Sequence, residues 1–245
     1  MKALVCKVCV AFVASCLLVS SANAAVTIAK DIAYDDPSLA SLTTGQILVT
    51  DFGTNLQTNA ANIPVAQGYS FTWTNDSGDG PGTTVINSNA TGLYSTETLI
   101  SGISAPPPGN IPDYFTVVGP AGEAMLTTPN ALTSFSLLWG SMDYYNTITF
   151  VGAKQSFSFT GDQVTVPNGG GDGDQSAEAT NRGVSFTISA ADDVKEVIFT
   201  STQNSFEFDN LYASAVPEPA LWLMMICGFG LTGAMLRRCR VVAVA

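Results

Sequence analysis

Carboxylates, amides and hydroxyls are the groups with which this 245-residue chain could do chemistry, because it contains no histidine. That absence excludes Ser-His-Asp and Cys-His nucleophilic catalysis, histidine-ligated zinc and the commonest general base. The five cysteines stand at positions 6, 9, 16, 227 and 239, so residues 25 to 226 contain none. Thiol catalysis and disulfide bonds are therefore excluded from that region.

Three oxygen-bearing side chains form the strongest candidate for a metal site. Asp143 and Asn146 stand where one predicted strand gives way to the next, and Asp209 lies in the last predicted strand. If the two segments pair, these oxygens converge, and oxygen ligands are what calcium prefers. The sequence therefore indicates a candidate calcium site at Asp143, Asn146 and Asp209, with no other cofactor expected. The alternative is that these residues close Asx-turns, a common role of Asp and Asn at strand ends.

Two neighbouring acidic features are less suited to a metal. Glu207 alternates with Phe206 and Phe208, as a solvent-facing residue of a strand does. The loop 168–174, Asn-Gly-Gly-Gly-Asp-Gly-Asp, has the composition of a flexible connector. This loop lacks the ligand spacing of an EF-hand, so we expect any calcium at the strand ends instead.

The charge of the region between residues 25 and 216 restricts its partners. It contains four basic residues against nineteen acidic ones, a formal charge of −15. Nucleic acid is excluded as a partner on this ground. The acidity indicates either solubility outside a cell or the binding of divalent cations.

Glycan binding and glycan hydrolysis are the two alternatives that the sequence leaves open. Aromatic side chains could stack on sugar rings or pack in the core; they are Tyr69, Trp73, Tyr94, Tyr114, Trp139, Tyr144 and Tyr145. Hydrolysis needs a pair of carboxyl groups, and no local pattern marks an acid and its partner. We therefore expect that the chain is not an enzyme.

Short runs rich in Val, Ile, Thr, Phe and Tyr predict an all-β domain. They are separated by clusters of Gly, Asn, Asp and Pro, which is typical of turns. Nine strands are predicted, at 47–52, 69–74, 114–118, 132–139, 146–151, 155–160, 183–189, 194–200 and 205–212. Their number and spacing favour a β-sandwich, jelly-roll-like or lectin-like, over residues 25–215, with long loops and up to two weak strands between 75 and 112.

The N-terminal 24 residues have the features of a secretory signal peptide. Lys2 and Lys7 precede an apolar run at 8–19, and Ala22-Asn-Ala24 forms a small-x-small cleavage site. We expect signal peptidase to cut before Ala25. The competing interpretation is lipoprotein processing at Cys16, although the apolar run continues beyond that residue.

The C-terminal segment 216–240 combines a short motif with an apolar helix. Residues 220–236 are apolar and about long enough to span a bilayer, and three arginines follow at 237, 238 and 240. The segment resembles the PEP-CTERM sorting domain of bacterial exosortase substrates. The positions in register are Pro217, Glu218, Pro219, Trp222, Met225, Gly228, Phe229, Gly230, Gly233, Arg237 and Arg238. The alternative is an ordinary single-pass tail helix.

This resemblance implies a sorting route. A membrane-embedded exosortase would recognise Pro217, Glu218 and Pro219, cut near them and discard the helix. The precursor would be tethered to the inner membrane of a Gram-negative bacterium, and the product would reach the cell surface or the extracellular matrix. The resemblance therefore implies a surface or exopolysaccharide-associated protein of structural or adhesive role, with a carbohydrate-binding module or a glycan hydrolase as alternatives.

A second resemblance covers the later half of the exported domain. Trp139, Gly140, Ser141, Asp143, Tyr145 and Asn146, with a closing strand at 205–211, are similar to a recurrent group of exosortase-dependent surface proteins. This group implies location and architecture and no catalytic residues.

Overall fold

The chain folds mainly into antiparallel β-sheets. The computed structural model describes residues 25–34, 36–53, 57–58, 63–74, 91–95, 107, 113–165, 171–216, 225–230 and 232. The strands of the described residues are β1 Val26–Ala33, β2 Ile47–Thr50, β3 Gln57–Thr58, β4 Pro64–Val65, β5 Ser70–Thr74, β6 Gly92–Ser95, β7 Asp113–Val117, β8 Glu123–Thr127, β9 Leu132–Gly140, β10 Asn146–Val151, β11 Ser156–Thr160, β12 Arg182–Ile188, β13 Glu196–Ser201 and β14 Phe206–Ala215. One helical turn, α1 Gly161–Thr165, and 3-10 turns at Pro37–Thr43 and Ala190–Asp192 complete these elements.

Two large sheets contain most of the strands. The first has seven strands in the order β1-β12-β9-β14-β7-β6, with β2 also paired to β14. The second has five strands in the order β11-β10-β13-β8-β5, and β3 and β4 form a separate pair. Every strand pairing among the described residues is antiparallel. The all-β prediction is therefore confirmed, and each of the nine predicted strands overlaps an observed one.

Alternation of apolar and polar residues explains why the five-stranded sheet has one buried face. Along β10, every second residue is buried, and β13 shows the same alternation. The register pairs Ile148 with Phe199 and Phe150 with Val197, so the apolar side chains of both strands share one face. A half-buried antiparallel sheet requires this pattern.

Aromatic side chains join the two large sheets. The rings of Phe199 on β13 and Phe208 on β14 are stacked with their centroids 4.2 Å apart. Phe71 on β5 lies 4.8 Å from Phe115 on β7, in an edge-to-face arrangement. Each of these phenylalanines is fully buried, and burying such a side chain contributes about 1.5–3 kcal/mol. The two sheets therefore pack face to face over a shared aromatic core.

Most of the two predicted addressing segments lies outside the described residues. The predicted signal peptide, 1–24, is among the residues not described, as is most of the predicted helix 220–236. Residues 225–230 and 232 of that helix are helical. In the part of the chain that the structure describes, no helix is long and apolar enough to cross a membrane.

Candidate functional site

The turn between β9 and β10 is the centre of the candidate site. Asp143 forms an isolated antiparallel bridge with Asp172. Asp172 belongs to the loop 168–174, which we call the Gly-Asp loop. Two backbone hydrogen bonds flank this bridge, from Tyr144 N to Gly171 O at 3.2 Å and from Gly173 N to Met142 O at 3.1 Å. The strand-end candidate and the Gly-Asp loop, which are separate in the sequence, therefore lie side by side.

Glycines make room for Asp143 in this arrangement. A Cβ atom on Gly161 would overlap the carbonyl oxygen of Asp143, and one on Gly173 would overlap its carboxylate. Gly173 also has a φ of +70°, a conformation that side chains other than glycine rarely adopt. The Gly-Asp loop thus needs Gly173 for two reasons, its backbone conformation and its close approach to the Asp143 carboxylate.

Glu207 is the second carboxyl group of the site, and its burial corrects the expectation that it faces solvent. It lies on β14 with Gly140 of β9 and Thr116 of β7 as its neighbours in register, and only 2% of its surface is exposed. Glu207 does point away from the aromatic core, as the alternation indicated. That outer face is covered here, because buried Pro107 packs against Gly140.

Two serine hydroxyls satisfy the buried Glu207 carboxylate. Ser141 Oγ donates to Oε2 at 2.8 Å, and Ser205 Oγ donates to Oε1. Burial nevertheless raises the pKa of Glu207 to about 7, against the two serine hydrogen bonds, which lower it. The negative charge of Asp143 raises the Glu207 pKa further. Near neutral pH this carboxyl group is therefore divided between its protonated and ionised forms.

Asp143 and Tyr145 respond to the same electrostatic environment. Burial raises the pKa of Asp143 to about 6; a hydrogen bond from Tyr145 opposes this rise and the charge of Asp172 adds to it. The Tyr145 hydroxyl also lies 2.6 Å from Asn204 O, so its single hydrogen is shared between that carbonyl and Asp143. Its pKa is raised by burial first, and then by its proximity to Asp143 and Glu207. The side chains of Asp143, Tyr145, Asp172 and Glu207 interact electrostatically, and we call them the acidic turn cluster.

The structure brings together only part of the predicted calcium site. Asn146 N donates to Asp143 O at 3.1 Å, so these two residues share one turn. The Asn146 side chain, however, accepts a hydrogen bond from Ser201 Oγ at 2.8 Å. Asp209 lies opposite Leu138, two residues farther along β14 than Glu207, or about 7 Å at the rise of a strand. Glu207 is a β14 carboxylate on which the charge of Asp143 acts, although the sequence analysis did not place it in the site.

The described residues hold no group of three or more His, Cys, Asp and Glu side chains that could bind a metal ion. Part of the Gly-Asp loop is used in turn formation. The Asp174 carboxylate accepts hydrogen bonds from Ser176 N and Ser176 Oγ, each at 2.8 Å, and these bonds lower its pKa. A calcium site at Asp143, Asn146 and Asp209 therefore stays a prediction.

Asn181 joins Ser141, which donates a hydrogen bond to Glu207, to the Gly-Asp loop. Its Oδ1 accepts from Ser141 N at 3.0 Å, and its Nδ2 donates to Asp174 O at 3.2 Å and to Ala177 O at 2.8 Å. Ser141 has a φ of +36°, so its hydrogen bond to Asn181 supports an unusual backbone conformation. The local sequence around Asn181 gives no sign of this contact.

Most of the aromatic residues that could have formed a sugar-stacking platform lie in the core. Trp139 and Tyr114 are fully buried and Tyr69 is 8% exposed, while Trp73 packs against the core from its edge. Tyr144 differs, with 60% of its surface exposed. Its hydroxyl accepts a hydrogen bond from Gln203 Nε2 at 3.2 Å.

Comparison with known proteins finds a distant structural likeness. No protein-family model and no curated protein matches the sequence. Among solved structures, the chain is similar to the enzymatically active domain of tailspike protein 4 of bacteriophage CBA120, with 11% sequence identity and a TM-score of 0.30. The alignment covers 65% of this chain and 23% of that one. A likeness this distant does not indicate what the chain does.

Proposed function

We propose that the chain is an exported, exosortase-processed protein whose domain at 25–215 has a structural or adhesive role, and that it is not an enzyme. The observation that carries this proposal is the register of the C-terminal segment. Pro217, Glu218, Pro219 and Trp222 are followed by a glycine-containing apolar run and then by Arg237 and Arg238. A motif of this length with so many matched positions is specific.

The end of the folded domain supports the proposed processing. β14 ends at Ala215, and Val216 N donates to Ala131 O at 2.8 Å. Pro217 follows at once in the sequence. A cut near Pro217 to Pro219 would therefore leave every strand of the described domain intact.

The character of the domain suits life outside the cell. In this proposal the domain is a β-sandwich of jelly-roll-like or lectin-like type that folds without disulfides, since it contains no cysteine, and its charge of −15 favours solubility. In this proposal the precursor is held at the inner membrane by helix 220–236. The processed domain then joins the cell surface or the exopolysaccharide of a Gram-negative bacterium.

The test is the mass of the surface-exposed protein in a host that contains an exosortase. The wild-type protein should lack Trp222 to Arg240, whereas Glu218→Ala should leave an uncut precursor in the membrane. Glu123→Ala, a change at an exposed residue of β8, is the matched control and should be processed normally. A wild-type surface protein that still contains Trp222 would show that the proposed processing is wrong.

A carbohydrate-binding module is the second candidate, because Tyr144 presents an exposed ring that Gln203 and Tyr145 hold in place. Aromatic faces of this kind can pack on sugar rings. Affinity electrophoresis against the host's exopolysaccharide should then show binding that Tyr144→Ala removes and Ile47→Ala, a change at another exposed apolar residue, retains. Equal mobility of all three proteins would favour the structural role.

The glycan hydrolase alternative has less support from the geometry. A hydrolase needs two carboxyl groups that face a cleft able to hold the sugar. Asp143 and Glu207 are coupled, but they are only 7% and 2% exposed. Their burial favours a structural role for this pair.

A further inference from the structure

The first described residue of the domain contacts a buried carboxylate. Ala25 N donates to Asp192 Oδ2 at 2.9 Å, and Ala25 O accepts from Ser189 N at 3.0 Å. Asp192 ends the short 3-10 turn Ala190–Asp192 and is only 1% exposed. Its other oxygen, Oδ1, is also buried, and no described residue donates a hydrogen bond to it.

A buried Asp192 carboxylate lowers the stability of the folded protein if one of its oxygens accepts no hydrogen bond. A buried polar atom without a partner costs about 1–3 kcal/mol, and more when the group is charged. The two ion pairs among the described residues do not involve Asp192, since they join Arg182 to Asp31 and Lys195 to Asp193. As a peptide amide, Ala25 N has one hydrogen, which is already used on Oδ2.

We propose that removal of the signal peptide supplies the missing partner, because cleavage before Ala25 converts this amide into a charged α-ammonium group that pairs with Asp192. The inference rests on the proposed export of the chain. Signal peptidase uses water: the hydroxyl joins the carbonyl carbon of Ala24, the peptide C–N bond breaks and the nitrogen of Ala25 takes up protons. An α-amino group has a pKa of about 7.7–8.0 in unfolded chains, so the product is mostly cationic at pH 7.

The α-ammonium group fits the site in charge and in number of donors. It carries three N–H donors, enough to serve Oδ2 and Oδ1 of Asp192 together, and its positive charge replaces a neutral donor. Ala25 precedes β1 directly, so the cleaved chain begins where the sheet begins. No extra residues then separate the new N-terminus from the carboxylate.

The position of the pair gives it a structural role. β1 is the edge strand of the seven-stranded sheet. Asp192 belongs to the connection from β12 to β13, and its carbonyl oxygen accepts from Ala153 N, in the turn between β10 and β11, at 2.9 Å. The ion pair would therefore fasten the edge of one sheet to the five-stranded sheet, and it would form only in the processed protein.

The test compares proteins that an exporting host produces from the full-length gene and that are purified after signal-peptide cleavage. One variant has an alanine inserted before Ala25, which keeps the cleavage site and moves the α-ammonium group one residue away. The second is Asp192→Asn, and the third combines both changes. In urea unfolding at pH 7, the insertion should raise the unfolding equilibrium constant at least about tenfold in the Asp192 protein. In the Asp192→Asn protein, the same insertion should have little effect on the unfolding equilibrium constant. Residue 192 then carries no negative charge with which the α-ammonium group could pair.

Two further measurements test the ion pair separately from the proposed export route on which it rests. N-terminal sequencing must begin at Ala25; another start would overturn the cleavage site and the ion pair together. A start at Ala25 with equal effects of the insertion in both backgrounds would overturn the ion pair alone. If Asp192→Asn does not fold, the rate of an amine-specific reagent at the N-terminus decides: the wild-type amine should react at least tenfold more slowly than that of the insertion variant, and equal rates would refute the pair.

Discussion

Replacing Glu207 by glutamine should change how stability depends on pH. The pKa of Glu207 is about 7 in the fold and ordinarily 4.5, so the folded state binds this proton more tightly than the unfolded state does. The stability from this group is fully present below about pH 4.5 and is lost as the pH rises through about 7. Its full value is about 3 kcal/mol, from a pKa difference of 2 to 3 units. Most of this value, about 2–3 kcal/mol, is lost between pH 5 and pH 8.

Glu207→Gln removes the titration while it keeps the shape of the side chain. Its amide can accept a hydrogen bond from one serine and donate one to the other, because the hydroxyls of Ser141 and Ser205 rotate. The variant should therefore lose about 2–3 kcal/mol less than the wild type between pH 5 and pH 8. Asp143 titrates in both proteins, and because its charge acts on Glu207, the difference between the two profiles reports the loss of Glu207 together with its effect on Asp143.

Urea unfolding of the processed protein at several pH values from 5 to 8 measures this difference. Glu123→Gln is the control, because it removes the same charge from an exposed position on β8, and its profile should run parallel to that of the wild type. If the Glu207→Gln profile is also parallel to the wild-type profile, the buried carboxyl group does not titrate as argued and the reasoning fails.

Three further predictions concern the loop, the metal and the cysteines. Gly173→Ala should destabilise the domain by more than about 2 kcal/mol, because the new methyl group would overlap Asp143, while Gly45→Ala, at a φ of +79° with no described atom within 4 Å of the new Cβ, should cost only about 1 kcal/mol in urea unfolding. A calcium site that includes Asp143 and Asp209 predicts that calcium at ten times its dissociation constant adds about 1.4 kcal/mol of stability; either substitution by alanine should remove this gain, and a melting temperature indifferent to calcium and chelator would contradict the site. Reductant should leave the thermal unfolding of the processed domain unchanged, since that part of the sequence contains no cysteine; a lower melting temperature would contradict this.

Some strands can be predicted from the sequence and others cannot. The difference is whether a short stretch of sequence contains the pattern that defines the strand. β10 and β11 alternate cleanly and were predicted almost to the residue. β1 was missed because a register shift between Ile28 and Lys30 interrupts its alternation. β8, Glu-Ala-Met-Leu-Thr, is composed largely of residues with weak strand preference. Its pairing with β13 and β5 decides its conformation, and no short sequence window contains that information.

The candidate site shows the same division between local and distant information. Alternation with Phe206 and Phe208 correctly placed Glu207 on the face opposite the core. Alternation does not reveal whether that face is covered, and here Pro107, a hundred residues earlier, packs beside it. The contact of Asp143 with Asp172 likewise joins segments that the sequence presents as independent. The residue types of the site were predictable, whereas its partners depended on the tertiary fold.

The place of β14 in the sheet determines when the domain can fold. This strand, the last in the described domain, lies between β9 and β7 and also pairs with β2. A chain that crosses a membrane N-terminus first delivers β14 after all of these partners. Until it arrives, β9 and β7 have open edges that can pair with other chains, and their contacts with β14 close long stretches of chain, which slows folding. In the proposed export route, the chain therefore has to stay unfolded until residue 215 has crossed, and the final step of folding would take place immediately beside the proposed sorting segment.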